Sequence, residues 1–165
     1  MRLLISAAGT GGHVFPALEF SEECIKNNHE VIWMGTKTGL ESRKVPEKNI
    51  QFLTIPMRGF RGKGLLNKCI SIFGLIASIG KTIIFLFQNK INFIVCFGGY
   101  ISLPVGIAAI LCRKQLILHE QNAVMGTSNK LLAPFAKIIF LGTPLATVSQ
   151  KNTQLVGNPI KNIAN

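Results

Sequence analysis

Apolar residues in this chain fall in short runs that break at glycine or polar turns. Residues 2–7 read as a buried strand that ends at a glycine-rich turn, and residues 14–27 carry apolar positions at helical spacing. Further short runs, rich in Val, Ile and Phe, occupy 29–34, 50–55, 92–97, 115–119 and 137–141. Helical stretches lie between most of them. Strands that are apolar at nearly every position are covered on both faces, and alternation with helices predicts a doubly wound parallel sheet, a Rossmann-like α/β fold. Residues 57–64, MRGFRGKG, read as an exposed loop. The tail from 149 to 165 is polar apart from Leu155, Val156 and Ile160. There is no internal repeat and no low-complexity tract.

Residues 65–87 are the densest apolar stretch. On a helix, Asn67, Ser71, Ser78 and Thr82 fall on one narrow stripe, with Lys68 and Lys81 near it, and the rest is Leu, Ile and Phe. Three readings are open: a buried crossover helix, an interfacial helix with its apolar face in lipid, and a membrane span. A span needs about 20 mostly apolar residues, and Lys81 would place a charge within it. Arg58, Arg61, Lys63 and Lys68 cluster at the start of the stretch, where basic residues attract anionic headgroups. Arg61, Lys63, Leu65, Leu66, Ile72, Phe73 and Ile76 are therefore the candidate membrane contacts.

Composition narrows the partners. The chain has 165 residues, 48% of them hydrophobic and 15% charged, with a mean hydropathy of +0.38, so it can bury one substantial core. Lys and Arg number 18 against 7 Asp and Glu, a formal charge of +11. A surplus of that size favours phosphorylated small molecules or acidic lipid, or it is a solvated basic face. Aromatic and basic residues do not interleave, which argues against nucleic acid. Cys24, Cys69, Cys96 and Cys112 lack CxxC spacing and lie in apolar segments, so reduced, packed thiols of a cytoplasmic protein are expected. His13, His29 and His119 are scattered, and no metal site is expected. The apolar run before Gly9 is too short for a signal peptide.

Three motifs lie at strand ends. The first, Ala8-Gly9-Thr10-Gly11-Gly12-His13, joins the first strand to the first helix, where backbone N–H groups and the helix N-terminus favour an anion. It is not a dinucleotide fingerprint, because Val14 stands where the third glycine belongs and the second strand ends at Gly35-Thr36 without an acid. Gly80-Lys81-Thr82 imitates the end of a P-loop, but Gly74 is one residue too far upstream. The second motif is Phe97-Gly98-Gly99-Tyr100-Ile101-Ser102, with Ser102 placed to cap the following helix and Pro104 in its first turn. The third is His119-Glu120-Gln121-Asn122, followed by Ser128-Asn129-Lys130. In a doubly wound sheet the first and fourth strands adjoin at the switch point, where ligands bind. Both glycine turns would flank that crevice, with the fifth strand ending beside it, and two anion-ready turns suit a diphosphate.

AGTGGHVFPAL, FGGYIS, HEQNAVMGTSNKLL and VGNPIK, in this order, resemble the MurG family, which transfers N-acetylglucosamine from UDP to lipid I to form lipid II of bacterial peptidoglycan. The resemblance runs from Arg2 to Lys161. It implies the N-terminal half of a two-domain GT-B-type inverting glycosyltransferase, working on UDP-N-acetylglucosamine and lipid I with no cofactor. It implies that 1–157 form the acceptor-binding domain and 158–165 begin an interdomain linker, with the C-terminal donor domain absent. Gly9, His13, Gly98, Gly99, Tyr100, His119, Glu120 and Asn129 would bind the acceptor and its diphosphate. Thr10, Gly11, Gly12, Asn122 and Lys161 would touch the donor, and His13 would be the general base. Lys161 stands where the family usually has Arg, Ala8 replaces the common first glycine, and Met125 replaces a small residue or Pro. Implied partners are an undecaprenyl-diphosphate-linked acceptor, the anionic inner membrane surface on its cytoplasmic face, met peripherally, and a C-terminal donor domain in trans. A non-catalytic acceptor-lipid-binding subunit and a truncated inactive fragment are the alternatives.

Overall fold

The computed structural model describes residues 1–57, 65–146 and 152–160; of residues 65–70 it describes the backbone only. Seven strands form one parallel sheet, in the order β3-β2-β1-β4-β5-β6-β7. They are β1 (Arg2–Ser6), β2 (Glu30–Gly35), β3 (Gln51–Thr54), β4 (Phe93–Cys96), β5 (Gln115–Glu120), β6 (Ile138–Leu141) and β7 (Thr153–Leu155). Helices α1 (Gly11–Lys26), α2 (Glu41–Lys44), α3 (Leu65–Gln88), α4 (Ser102–Leu111) and α5 (Thr127–Leu132) connect them. The strand order reverses between β1 and β4, as a doubly wound sheet requires.

The uninterrupted apolar runs have their cause in this layering. Leu4 aligns with Ile32 on one side and Ile94 on the other, and all three are buried on the face covered by α3 and α4. Ile5, Trp33 and Val95 face the other way, onto Val14, Ala17 and Leu18 of α1. A strand flanked by helices on both faces leaves no position for a polar side chain. Two polar groups are buried there nonetheless: the Trp33 indole N–H donates to the Ala7 carbonyl at 3.3 Å, and the Ser6 hydroxyl at the end of β1 has no partner among the described residues. Cys24, Cys96 and Cys112 are free thiols, and burial pushes Cys96 up to about 12.

Two features go beyond the sequence reading. β7 was hidden in the polar tail. It is a three-residue edge strand pairing with β6, Ile139 opposite Thr153 and Leu141 opposite Leu155, and its exposure removes the apolar signature. The second feature is α3, for which the sequence left three readings open. Its small polar stripe faces inward, with Ser78 and Thr82 fully buried, and the Thr82 hydroxyl lies 2.8 Å from the Ser78 carbonyl. Within this chain α3 is not wholly buried. Ile72 (51% exposed), Phe73 (73%), Ile76 (60%), Ile84 (58%) and Phe87 (79%) point away from the protein. The stretch Ser71–Gln88 is long and apolar enough to cross a membrane, yet only 17% of it is buried inside the molecule. Arg58, Arg61 and Lys63 lie outside the described residues, as do the side chains of Leu65, Leu66 and Lys68.

Candidate active site

The carboxyl ends of β1, β4 and β5 meet at the switch point, and the two glycine turns interlock there. Gly99 has φ +77°, and a Cβ on it would sit 2.1 Å from the Ala8 carbonyl oxygen. Gly98 has φ +94°, and a Cβ there would sit 2.7 Å from His13 Cδ2. Only glycine supplies this left-handed backbone with so close an approach. The second turn is held by Ser102, whose hydroxyl accepts from the Gly98 N–H at 3.1 Å and lies 2.7 Å from the Gly98 carbonyl and 3.3 Å from that of Ser6. Ser102 is thus not the helix cap expected of it. Ile101 holds the N-cap position, and Ser102 instead ties the turn after β4 to β1.

His13 stands in the first turn of α1. Thr10 is the N-cap residue, and its carbonyl accepts from the N–H groups of His13 and Val14 at 3.1 and 3.2 Å. The preceding N–H groups, of Gly11 and Gly12, have no acceptor within the helix. The Thr10 hydroxyl lies 3.1 Å from His13 Nδ1. When Nδ1 carries the proton and donates it to Thr10, Nε2 is left with a lone pair. Burial holds the His13 pKa below the usual 6.5, and the nearby Glu120 carboxylate opposes this with a smaller upward pull. The imidazole is therefore neutral at neutral pH, which a proton acceptor requires.

Glu120 organises the third motif. One carboxylate oxygen accepts from the Asn122 N–H (3.1 Å) and side-chain amide (3.0 Å); the other accepts from the Gly126 N–H and the Asn129 amide, both at 2.9 Å. Glu120 is 1% exposed, so its charge is spent on holding the 120–129 loop in shape. Asn129 also donates to the His119 carbonyl at 3.0 Å, and its own side-chain oxygen is buried and receives no hydrogen bond from the protein. Gln121 donates to the Phe97 carbonyl at 3.0 Å, fastening this loop to β4.

These turns line a two-lobed cleft. One lobe, of about 470 Å³, lies among His13, Gly98, Gly99, Tyr100, Glu120 and Asn129, with 126–128 at its rim. The other, of about 700 Å³, lies among Gly9, Thr10, His13, Thr38, Arg43 and Tyr100. His13, Gly99 and Tyr100 border both. Each volume lies in the range of small-molecule sites. The N-termini of α1 and α4 lie at the cleft, adding positive potential without side-chain charge.

Most of the expected site residues meet here: Gly9, Thr10, His13, Gly98, Gly99, Tyr100, Glu120 and Asn129 line the cleft, and Gly11 and Gly12 form its helix start. Asn122 is exposed beside it, and Lys161 lies outside the described residues. The His119 ring does not join them. Successive side chains of a strand point to opposite faces, so Glu120 and His119 diverge. The His119 ring stacks on Phe97 with centroids 5.0 Å apart and meets the Gly157 carbonyl at 3.3 Å. It borders a separate cavity of about 330 Å³ with Phe20, Phe140 and Pro159, and burial lowers its pKa. Sequence reasoning missed Thr38, Gly39, Leu40 and Arg43, which form one wall of the larger lobe. Gly39 was their only visible signal: a Cβ there would sit 2.1 Å from the Glu41 carboxylate.

Relatives match most of the length of this chain. A protein of Acidithiobacillus ferrooxidans named UDP-N-acetylglucosamine–N-acetylmuramyl-(pentapeptide) pyrophosphoryl-undecaprenol N-acetylglucosamine transferase is 43% identical over 159 residues, which are 96% of this chain and 44% of the relative. One of the same name from Idiomarina loihiensis is 41% identical over 161 residues, 97% of this chain and 44% of the relative. The crystal structure of Acinetobacter baumannii MurG superposes with a TM-score of 0.80 at 35% identity, over 92% of this chain and 45% of that one. The chain thus spans a little under half the length of these relatives. The UDP-GlcNAc 2-epimerase of Methanocaldococcus jannaschii, 14% identical with a TM-score of 0.67 over 96% of this chain and 46% of that one, shares the fold. The model of the glycosyltransferase family 28 N-terminal domain matches residues 3–141, and this chain belongs to that family.

Proposed function

We propose that this chain is the acceptor-binding half of a transferase that moves N-acetylglucosamine from UDP-N-acetylglucosamine to lipid I, with residues 1–157 as the acceptor domain and 158–165 as the start of a linker to a donor domain. The single observation that carries the reading is the interlock of the two glycine turns around His13 at the β1/β4 switch point. The names of the relatives supply the substrates.

In this reading the acceptor diphosphate lies against the turns at Gly9 and Gly98–Gly99, where backbone N–H groups and the starts of α1 and α4 face its charge. The muramyl hydroxyl points at His13 Nε2. As its oxygen attacks the anomeric carbon from the face opposite UDP, His13 takes the proton, the carbon–oxygen bond to UDP breaks, and UDP leaves as an anion with inversion. Thr10 fixes the His13 tautomer. Asn129 turns its unpaired side-chain oxygen to a hydroxyl or amide N–H of the acceptor. Tyr100 divides the lobes, and Glu120 shapes the pocket from behind. Thr10, Gly11, Gly12, Asn122 and Lys161 face the donor, and a second half in trans or in cis supplies the remaining donor contacts.

The outward apolar face of α3, with the charge of +11, supports peripheral attachment to an anionic membrane, the cytoplasmic face of the inner membrane for a lipid-linked acceptor of this kind. Titration of the chain with a short-chain lipid I analogue, followed by calorimetry, tests the reading. Saturable binding that weakens in Asn129→Asp supports it. Binding equal to that of undecaprenyl phosphate, which lacks both the second phosphate and the sugar, overturns it.

A further inference from the structure

The two lobes of the cleft differ in charge. The smaller one has the Glu120 carboxylate in its wall, and no lysine or arginine among the described residues that line it. The larger one has Arg43 in its wall, and no acid among the described residues that line it. Neither the strand-end motifs nor the proposed transfer step uses Arg43. We propose that the larger lobe is the subsite for the peptide of the muramyl acceptor, and that the Arg43 guanidinium reads a carboxylate of that peptide. This rests on the acceptor reading of the cleft and extends it to a part of the substrate that does not react.

Three observations lead there. The first is that the wall is built. Glu41 is fully buried, and one of its carboxylate oxygens accepts from the Thr36 N–H at 3.1 Å and the Thr36 hydroxyl at 2.7 Å. Gly39 leaves room for that carboxylate, which a Cβ would meet at 2.1 Å. The Ser42 hydroxyl donates to the Gly39 carbonyl at 2.7 Å, and the Arg43 N–H to the Leu40 carbonyl at 3.2 Å. Residues 36–43 are thereby fastened to the end of β2, and α2 carries Arg43 at the lobe. The second is that Arg43 is open. It is exposed and has no hydrogen bond or ion pair from its side chain among the described residues, whereas Lys44 beside it meets Glu47 at 2.8 Å. A guanidinium offers a planar fork of N–H donors that matches a carboxylate with two parallel hydrogen bonds. The third is place. The name of the relatives puts a pentapeptide on the muramyl acceptor. A muramyl sugar carries its peptide through a lactyl ether on the carbon next to the one whose hydroxyl attacks. With that hydroxyl at His13, the peptide starts where the two lobes join. Glu120 disfavours a carboxylate in the smaller lobe, and Arg43 favours one in the larger, which at about 700 Å³ against about 470 Å³ is also the roomier.

Calorimetric titration of the full chain with three short-chain acceptor analogues tests the subsite. One analogue carries the pentapeptide with its carboxylates free, one carries it with those groups converted to carboxamides, and one has no peptide. The parent should bind the free-acid analogue on the order of 10-fold more tightly than the carboxamide, the low end for hydrogen bonds to a charged group. Arg43→Ala should lose that preference and should bind the carboxamide and peptide-free analogues much as the parent does. Arg43→Lys keeps the charge without the fork and should recover only part of it. Lys44→Ala removes equal charge one residue away and should keep the full preference. Equal losses of Arg43→Ala on all three analogues would overturn the peptide subsite in favour of contact with the diphosphate. Loss of the preference in Lys44→Ala as well would overturn it in favour of diffuse positive potential. Equal affinity of the parent for the free-acid and carboxamide analogues would overturn it and leave the acceptor reading intact. A parent that binds none of the three would overturn the acceptor reading, and the subsite with it.

Discussion

Replacing Gly99 with alanine should unlock the two turns, and its cost can be worked from the backbone. Gly99 sits at φ +77°, where an L side chain costs about 1–2 kcal/mol. Its Cβ would also meet the Ala8 carbonyl oxygen at 2.1 Å, and that oxygen belongs to the backbone of the first turn, not to a side chain able to rotate away. Relief requires one turn to move more than 1 Å from the other, an overpacking strain of about 1–3 kcal/mol. The sum, about 2–5 kcal/mol, corresponds to a fall in Tm on the order of 10 °C for a chain of this length. Two other glycines serve as controls. A Cβ on Gly12 would have the Thr10 hydroxyl as its nearest neighbour at 3.7 Å, and one on Gly80 in α3 would meet nothing within 4 Å. Gly12→Ala should melt close to the parent, and Gly80→Ala slightly above it, by the roughly 1 kcal/mol that separates glycine from alanine in a helix. Circular-dichroism melts of the three variants decide the matter. A Gly99→Ala protein melting no lower than Gly12→Ala would refute the interlock.

Further outcomes follow from the same contacts. Glu120→Gln would turn an amide N–H₂ toward two of the four donors now held by the carboxylate, and should cost about 3–6 kcal/mol in urea unfolding; a loss below 1 kcal/mol would show that the loop does not depend on this group. Ser102→Ala leaves the Gly98 N–H without its acceptor and should cost about 1–3 kcal/mol by the same assay. Burial depresses the pKa of both His13 and His119, so the unfolded chain takes up protons first as pH falls. Their contribution to stability is whole above pH 6.5 and is lost as pH falls from there through the lower folded values. Unfolding free energies at pH 7.5 and 5.5 should therefore differ more in the parent than in His13→Asn with His119→Asn, and equal differences would contradict the assignment.

How much of this was legible depended on where the signal lay. The adjacency of β1 and β4 could be read because each ends in a glycine turn and each has an apolar centre, Leu3–Ile5 in β1 and Phe93–Cys96 in β4. The divergence of His119 from Glu120 was implicit in the period of a strand, yet the HEQN string suggested one pocket. Ser102 had the spacing of a cap, but a neighbouring turn offered its hydroxyl closer partners. The wall from Thr38 to Arg43 had no motif, since a short loop and the single turn of α2 around the buried Glu41 carboxylate are too brief to show a periodicity. On α3, the Ser and Thr stripe left open which face turns inward. Small hydroxyl residues also suit a close helix contact when the hydroxyl bonds back to the helix carbonyl, as Thr82 does to Ser78. The exposed face instead carries Ile72, Phe73, Ile76, Ile84 and Phe87, and it suits an apolar covering.

The account turns on His13 acting as the proton acceptor of an acceptor-binding half, and reconstitution tests that most directly. The chain is combined with a separately expressed C-terminal half of the Acidithiobacillus ferrooxidans relative, UDP-N-acetylglucosamine and a lipid I analogue, and product is followed over time. The account predicts product only when both halves are present, and a rate about 10²–10⁴-fold lower with His13→Ala while the protein remains folded. Product from this chain alone, an undiminished rate with His13→Ala, or no product from the combined halves would contradict it.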